Sequence, residues 1–306
     1  MRKNRPVIIY GAGVRGGEVF HTLIESNVHV EAFCDRDADN IPMRWGMEVL
    51  TLEEALGRYY YLPFVVAIKN KDEGEKIRDW LREEGMDSYL DIDEFFQGTN
   101  DVVMETVSCG LVQGYRIVPY LLEKNEKTVA YCFGVGKDFS FEKELAQRYQ
   151  TDVYLFDPSP EVVEEMKKQS LPEMMKFYAF GLSDEDTEKV FHKPRYGQNY
   201  SEYYAIFTSA EEIRVRTYRL SSLMEMMGHT HLDLLKMDIE GSEFKVIPDI
   251  LKAGISIGQI CLETHSRLFP DSVEKARGIK EMLNSHGYMM IHNDILEQTY
   301  IHKKYL

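Results

Sequence analysis

Positive charge and long apolar runs are both scarce in this chain, and each shortage excludes a class of partner. Lysine and arginine number 36 against 51 aspartates and glutamates, for a formal net charge of −15. A nucleic-acid surface needs a basic footprint, and no basic block interrupts the acidic background. Anionic membrane surfaces are disfavoured for the same reason. No apolar run approaches the ~20 residues needed to span a bilayer. The basic start, MRKNRPVIIYGAG, carries an apolar run of strand length that leads into a glycine turn, so a signal peptide is not expected. Cysteine is also sparse: Cys34, Cys109, Cys132 and Cys261 show no pairwise metal spacing. Three of them, Cys34, Cys132 and Cys261, fall in expected strands as buried reduced thiols, which fits a cytoplasmic protein. Repeats and low-complexity segments are absent. What remains, 306 residues at 44% hydrophobic and 28% charged, is an ordinary soluble composition with room for two domains.

The stretch from Thr128 to Asp157 organises the rest. A short apolar run (Val129 to Phe133) breaks at Gly134-Val135-Gly136. A helix-like segment follows with Phe141, Leu145 and Tyr149 four residues apart on one face. A second apolar run, Val153 to Phe156, ends on Asp157. Strand, glycine turn, helix, strand and terminal acid make half of a nucleotide-binding α/β unit. Glycines let backbone approach a ligand lying across the strand ends, and the acid can accept hydrogen bonds from both ribose hydroxyls. A dinucleotide fingerprint wants a third glycine where Phe139 stands, so a nucleoside without a pyrophosphate, such as S-adenosylmethionine, fits better than NAD. A plain Rossmann turn without a ligand produces the same glycine pair.

The first hundred residues repeat the theme. Val7–Tyr10 reads as a strand, and Gly11, Gly13 and Gly16 complete a G-x-G-x-x-G at its end. The next helix carries Val19, Phe20, Leu23 and Ile24 on its inner face. A second strand, Val28–Cys34, ends on Asp35. Phe64–Ile68 is a third strand, Asp72–Glu84 a helix with Ile77, Trp80 and Leu81 as its buried stripe, and Tyr89–Phe96 closes the unit. This Rossmann-like module resembles the small N-terminal domains of bacterial sugar-modifying enzymes. A nucleotide-sugar or NAD would lie with its phosphates on Gly11, Gly13 and Gly16 and a ribose on Asp35. Alternatively, the glycines serve tight packing alone. The expected domains are 1–97 (Rossmann-like), 98–127 (a connecting segment, helical over Asp101–Lys124) and 128–306.

Beyond Asp157, Pro158-Ser159-Pro160 gives a helix start with Ser159 as N-cap. Phe177–Phe180 reads as a strand ending in Gly181-Leu182-Ser183-Asp184. Leu182 is placed to pack on an adenine, and Ser183 or Asp184 to accept its amine. Tyr196, Tyr200, Tyr203, Tyr204 and Phe207 hold no regular period, as in a ligand-facing loop or a plain surface loop. Leu232–Met237 is a dense apolar strand ending in Asp238-Ile239-Glu240-Gly241, and Gln259–Glu263 is the next, ending Glu263-Thr264-His265.

LLKMDIEGSEFKVI resembles the hallmark segment of FkbM-type methyltransferases, a branch of the class I S-adenosylmethionine-dependent fold. FGVGKDFSFE, the strand ending DPSP, AFGLSDED and QICLETH follow in the family's order, so the resemblance runs from about Gly110 to the C-terminus. FGVG departs from the acid-containing first motif of many class I enzymes. The resemblance implies an α/β fold in which a doubly wound methyltransferase sheet follows the N-terminal module. It implies a cofactor site on Phe133, Gly134, Val135, Gly136, Asp157, Pro158, Ser159, Gly181, Leu182, Ser183 and Asp238. The methionine end would lie at Gly134 and Gly136, the ribose at Asp157 and the transferred methyl near Asp238. His265, Asp238, Glu240 and Glu263 are the candidate catalytic residues. His265, with an ordinary pKa near ~6.5, would be the base and Asp238 its rival. Asp238, Glu240 and Glu263 suggest an acidic rim, but without His/Cys spacing no metal is expected. The implied activity is O-methylation of a sugar, glycan or other small hydroxylated molecule. Two other readings stay open: a nucleotide-sugar-binding or sensing protein with a degenerate second half, and an NAD-dependent enzyme using the first fingerprint.

Overall fold

Strand–glycine–helix order in both halves of the chain produces a mostly parallel sheet in each. The computed structural model describes residues 6–25, 28–68, 70–84, 100–111, 114–123, 127–194, 200–203, 208–265, 272–293 and 297–306. The chain divides into two compact units. One comprises Met1–Asn100 with Asp271–Lys280 and Asn293–Leu296; the other comprises Asp101–Pro270 with Glu281–His292 and Glu297–Leu306.

The first unit holds β1 (Val7–Tyr10), β2 (Val30–Cys34), β3 (Met43–Arg44), β4 (Met47–Leu50) and β5 (Phe64–Val66), in the order β3-β4-β2-β1-β5. β1 runs parallel to β2 and β5, and β2 parallel to β4. Helix α1 (Val14–Glu25) buries Val19, Phe20, Leu23 and Ile24, the stripe its periodicity dictates. Two features escape a reading by period. Trp45 and Gly46 both take positive φ (47° and 78°), making the two-residue turn between antiparallel β3 and β4. Helix α2 (Leu52–Tyr59) starts on a capping box between Thr51 and Glu54. In α3 (Lys71–Glu83), Leu81 is buried but Trp80 is 37% exposed, against expectation. The inward line runs through Gly74, Ile77 and Leu81, and a residue one step off it turns about 100° toward solvent. Tyr89–Phe96 lies outside the described residues.

The second unit opens with β6 (Val107–Cys109) and β7 (Tyr115–Ile117), an antiparallel pair, followed by a 3₁₀ turn at Pro119–Leu121. The helix expected over Asp101–Lys124 is therefore corrected to a hairpin. Tyr115 and Ile117 are buried with Arg116 exposed between them, a strand's alternation. Gly110 takes φ +92°, and Pro119 disfavours a helical Val118.

Then come β8 (Val129–Phe133), α4 (Ser140–Tyr149), β9 (Asp152–Phe156), α5 (Pro160–Met166) and β10 (Met175–Tyr178). A small sheet of β11 (Gly181–Leu182), β12 (Thr187–Pro194) and β13 (Thr208–Tyr218) follows, and then α6 (Leu220–Met227), β14 (His231–Met237), α7 (Glu243–Lys252) and β15 (Ser256–Glu263). Helix α8 (Ser272–Ser285), β16 (Tyr288–Asn293) and β17 (Glu297–His302) complete the chain. The main sheet has the order β10-β9-β8-β14-β15-β17-β16, with β17 antiparallel to β15. The Gln259 side chain on β15 holds Val118 through both backbone groups, at 2.8 and 3.2 Å, which ties the hairpin segment to the sheet. Rings of Phe133, Phe156 and Tyr178 stack across β8, β9 and β10 at 4.4 and 5.5 Å. All four cysteines are free and buried, and no helix among the described residues is long and apolar enough to cross a membrane.

From β8 the chain winds outward through β9 and β10, then returns to place β14 and β15 on the other side. The switch point between β8 and β14 leaves a crevice at the carboxyl ends of the strands, where open α/β sheets bind ligands.

Candidate active site

At that switch point the ends of β8, β9 and β14 are locked together through their backbones. Gly134 N–H donates to the Phe156 carbonyl at 3.0 Å and Asp238 N–H to the Phe133 carbonyl at 3.2 Å. Gly134 sits at φ +71°, and a Cβ added there would stand 1.7 Å from the Asp238 carbonyl oxygen. Lys236, buried on β14, donates to the Gly134 carbonyl. The glycine turn is thus fixed from below, and above it opens a cavity of about 270 Å³.

Asp157 closes the facing wall. Its Oδ2 accepts from Gly136 N–H and its Oδ1 from Ser159 N–H, both at 2.9 Å. A carboxylate offers about four acceptor positions, so two remain for a diol. Ser159 begins α5 as expected, but its hydroxyl makes no cap bond. Around the same cavity stand Phe133, Gly134, Gly136, Pro158 and Ser159, with Gly181, Leu182, Asp238 and Glu240 opposite. Residues 107 positions apart in sequence (Phe133 and Glu240) therefore share one concavity, as the motif order implies.

Several expected members do not line it. The Val135 side chain is buried in the core beneath the turn, so only its backbone is available. Ser183 and Asp184 turn toward Lys189 (2.6 and 3.3 Å), which also pairs with Glu202 at 3.0 Å, and neither lines the cavity. Of the aromatic loop, Tyr200 lines the cavity and donates to Glu211 at 3.1 Å. Tyr196, Tyr204 and Phe207 lie outside the described residues. Ser201 donates to the Glu240 carbonyl at 2.6 Å, and Ser242 to Glu202 at 2.9 Å, which docks the 200–203 segment on the Asp238–Gly241 turn.

Behind that turn lies a buried charge cluster. His265 is 1% exposed, and its Nδ1 meets Glu243 at 2.9 Å. Its Nε2 faces Glu240, Glu263 and Asp238 at 3.4, 3.6 and 3.7 Å. Burial would lower its pKa, but Glu240, Glu243 and Glu263 outweigh burial and raise it to about 10. His265 thus lies behind the turn and is not among the residues that line the cavity, with its Nδ1 committed to Glu243. Glu243, not singled out in the sequence, also accepts from Ile239 N–H (3.1 Å) and Gly241 N–H (2.9 Å). It thereby braces the turn that leads into α7. Its only signal was its place in the first turn of a helix following a glycine. The Asp238 carboxyl is raised by burial and by Glu240 and Glu243, against the pull of Lys236 and His265.

Glu142 on α4 is a second residue that the sequence did not mark. Burial raises its carboxyl from 4.5 to about 7, and Lys236 only partly opposes the rise. Its contribution to stability is therefore complete below about pH 4.5 and is lost as pH rises through about 7. Relative to Glu142→Gln, the wild-type chain should lose about 3 kcal/mol between pH 4.5 and 8, read as a diverging urea midpoint. Parallel midpoints for the two proteins would contradict the assignment.

In the first unit, Asp35 accepts from Ala12 N–H at 2.6 Å and from Asp37 N–H at 3.0 Å. A Cβ on Gly16 would stand 1.9 Å from the Gly11 carbonyl oxygen, and one on Gly11 would stand 2.9 Å from that of Ala67. Packing therefore accounts for Gly11 and Gly16 without a ligand, whereas Gly13 would meet nothing within 4 Å.

Residues 128–290 match the family model described as "Methyltransferase FkbM domain". A curated human protein, "Probable methyltransferase-like protein 24", is 24% identical over 145 residues, which cover 46% of this chain and 34% of that protein. The match thus spans about a third of that relative's length. Among solved structures, the methyltransferase FkbM from Methylobacillus flagellatus KT aligns over 98% of this chain and 91% of its own at 10% identity, with a TM-score of 0.40. Phospholethanolamine N-methyltransferase 2 of Haemonchus contortus, solved with phosphomonomethylethanolamine and S-adenosylhomocysteine, aligns over 93% and 79% at 9% identity, with a TM-score of 0.24.

Proposed function

The chain belongs to the FkbM methyltransferase family, and from that premise we propose that it is an S-adenosylmethionine-dependent O-methyltransferase acting on a hydroxyl of a sugar, glycan or other small molecule. The observation that carries the reading is Asp157, whose carboxylate spans the glycine turn and the next helix start while still facing the cavity. The cradle fits a nucleoside. Gly134 and Gly136 present backbone without side chains to it, and Leu182 offers an apolar surface for a base. Carboxylates of Asp157, Asp238 and Glu240 on the walls favour a cationic ligand.

S-adenosylmethionine, when bound, supplies a methyl on a positively charged sulfur, which passes to the acceptor oxygen as the C–S bond breaks and sulfur keeps the electron pair. The protein must align that oxygen and take its proton. Among the carboxylates that line the cavity, Asp238 and Glu240 follow the end of β14 and would take the proton, and the upward shift of Asp238 brings it closer to working pH. The sugar or glycan preference draws on the family resemblance and on the resemblance in sequence of the first unit to domains of sugar-modifying enzymes.

Incubation with methyl-labelled S-adenosylmethionine and a panel of sugars, glycans and phenols should label a hydroxyl in at least one class, read by mass spectrometry. Label appearing only on amines or thiols would overturn the O-methyl assignment.

A further inference from the structure

Sequence spacing gave no reason to expect a metal, because the relevant ligands come from the ends of two different strands. We propose that Asp238, Glu263 and His265 bind a divalent cation beside the cavity, with its open coordination positions toward the Asp238 wall. One ligand atom from each of the three lies within 4.8 Å of the others. His265 Nδ1 is committed to Glu243 at 2.9 Å, so the imidazole is held with Nε2 aimed at the carboxylates. A carboxylate on the far nitrogen is the arrangement that orients metal-binding histidines.

The distances from Nε2 to oxygen are 3.4 Å for Glu240, 3.6 Å for Glu263 and 3.7 Å for Asp238. Those to Glu263 and Asp238 exceed hydrogen-bond length. They are close to the spacing of ligand atoms around an ion, since bonds of about 2.1 Å set neighbouring ligands roughly 3.0 to 3.5 Å apart. Charge points the same way. Four carboxylates (Asp238, Glu240, Glu243, Glu263) gather around one imidazole, and the ion would take the place of the proton on its Nε2, leaving that nitrogen's lone pair for the metal. One imidazole nitrogen among carboxylate oxygens suits Mn²⁺ or Fe²⁺ better than a thiolate-seeking ion. Asp238 belongs both to this cluster and to the cavity wall, so the ion would reach an acceptor. An acceptor hydroxyl bound to it would release its proton to the Glu240 carboxylate. That role rests on the methyltransferase reading; binding of the ion does not.

EDTA-treated, dialysed, untagged full-length protein titrated with Mn²⁺ provides the test. The expected result is one Mn²⁺ per chain with nitrogen modulation in the pulsed EPR spectrum, from a directly bound imidazole. Glu263→Gln should weaken binding at least about tenfold with near-ultraviolet circular dichroism unchanged. No stoichiometric binding, binding without nitrogen modulation, or full affinity in the variant overturns the site. Should the variant fail to fold, the nitrogen modulation of the wild type decides. Calorimetry of S-adenosylhomocysteine on the same metal-free protein separates the two readings. Nucleoside binding without Mn²⁺ binding removes only the ion, and Mn²⁺ binding without the nucleoside removes only the cofactor assignment.

Discussion

Gly134→Ala is expected to abolish S-adenosylhomocysteine binding and to destabilise the second unit by more than about 4 kcal/mol, a loss reached only by severe defects. Two causes act together. The added Cβ would stand 1.7 Å from the Asp238 carbonyl oxygen and 2.8 Å from its carbon, so backbone must give way to backbone. The φ of +71° also penalises any side chain, by about 1 kcal/mol. Separating β8 from β14 would disturb the Asp238 N–H bond to Phe133 and open the floor of the cavity. Urea denaturation and calorimetry read the two effects. Gly13→Ala serves as the control: its Cβ would meet nothing within 4 Å, and its stability should change by less than about 0.5 kcal/mol. Near-native stability and binding in Gly134→Ala would contradict the described strand junction.

Asp157→Asn should cost at least about 100-fold in affinity for S-adenosylhomocysteine, roughly 2.7 kcal/mol, with a smaller loss of stability. The carboxylate accepts from Gly136 N–H on one oxygen and Ser159 N–H on the other. An asparagine has one oxygen, so its amide nitrogen must face one of these donors. Leaving a buried donor unpaired costs about 1–3 kcal/mol. The turn would shift and the diol would lose an acceptor. Isothermal titration measures the affinity and thermal melting the stability; a variant that binds as tightly as wild type would remove the ribose assignment.

How far the sequence reached follows from where each signal lies. Gly134 and Asp157 were legible because their jobs are local: one ends an apolar strand at positive φ, the other ends the next strand. The N-terminal strands and α1 were legible through their apolar periods, and the capping box at Thr51 was there to be read. The segment Asp101–Lys124 was not, because its apolar residues fit a helical face and the partner that holds it extended, Gln259, lies 141 positions away from Val118. His265 illustrates the same limit in electrostatics. Glu263 is its neighbour in sequence, but Glu240 and Glu243 come from the turn after β14, and their convergence raises the pKa of an otherwise ordinary histidine. Ser183 was read as a ligand contact because Lys189, six residues on, gave no sign that it would fold back over it.

Co-crystallisation with S-adenosylhomocysteine tests most directly where the nucleoside lies. Ribose hydroxyls within hydrogen-bonding distance of Asp157 and the sulfur end against Gly134 and Gly136 are the predicted result; a ligand bound elsewhere, with this groove still empty, would contradict it.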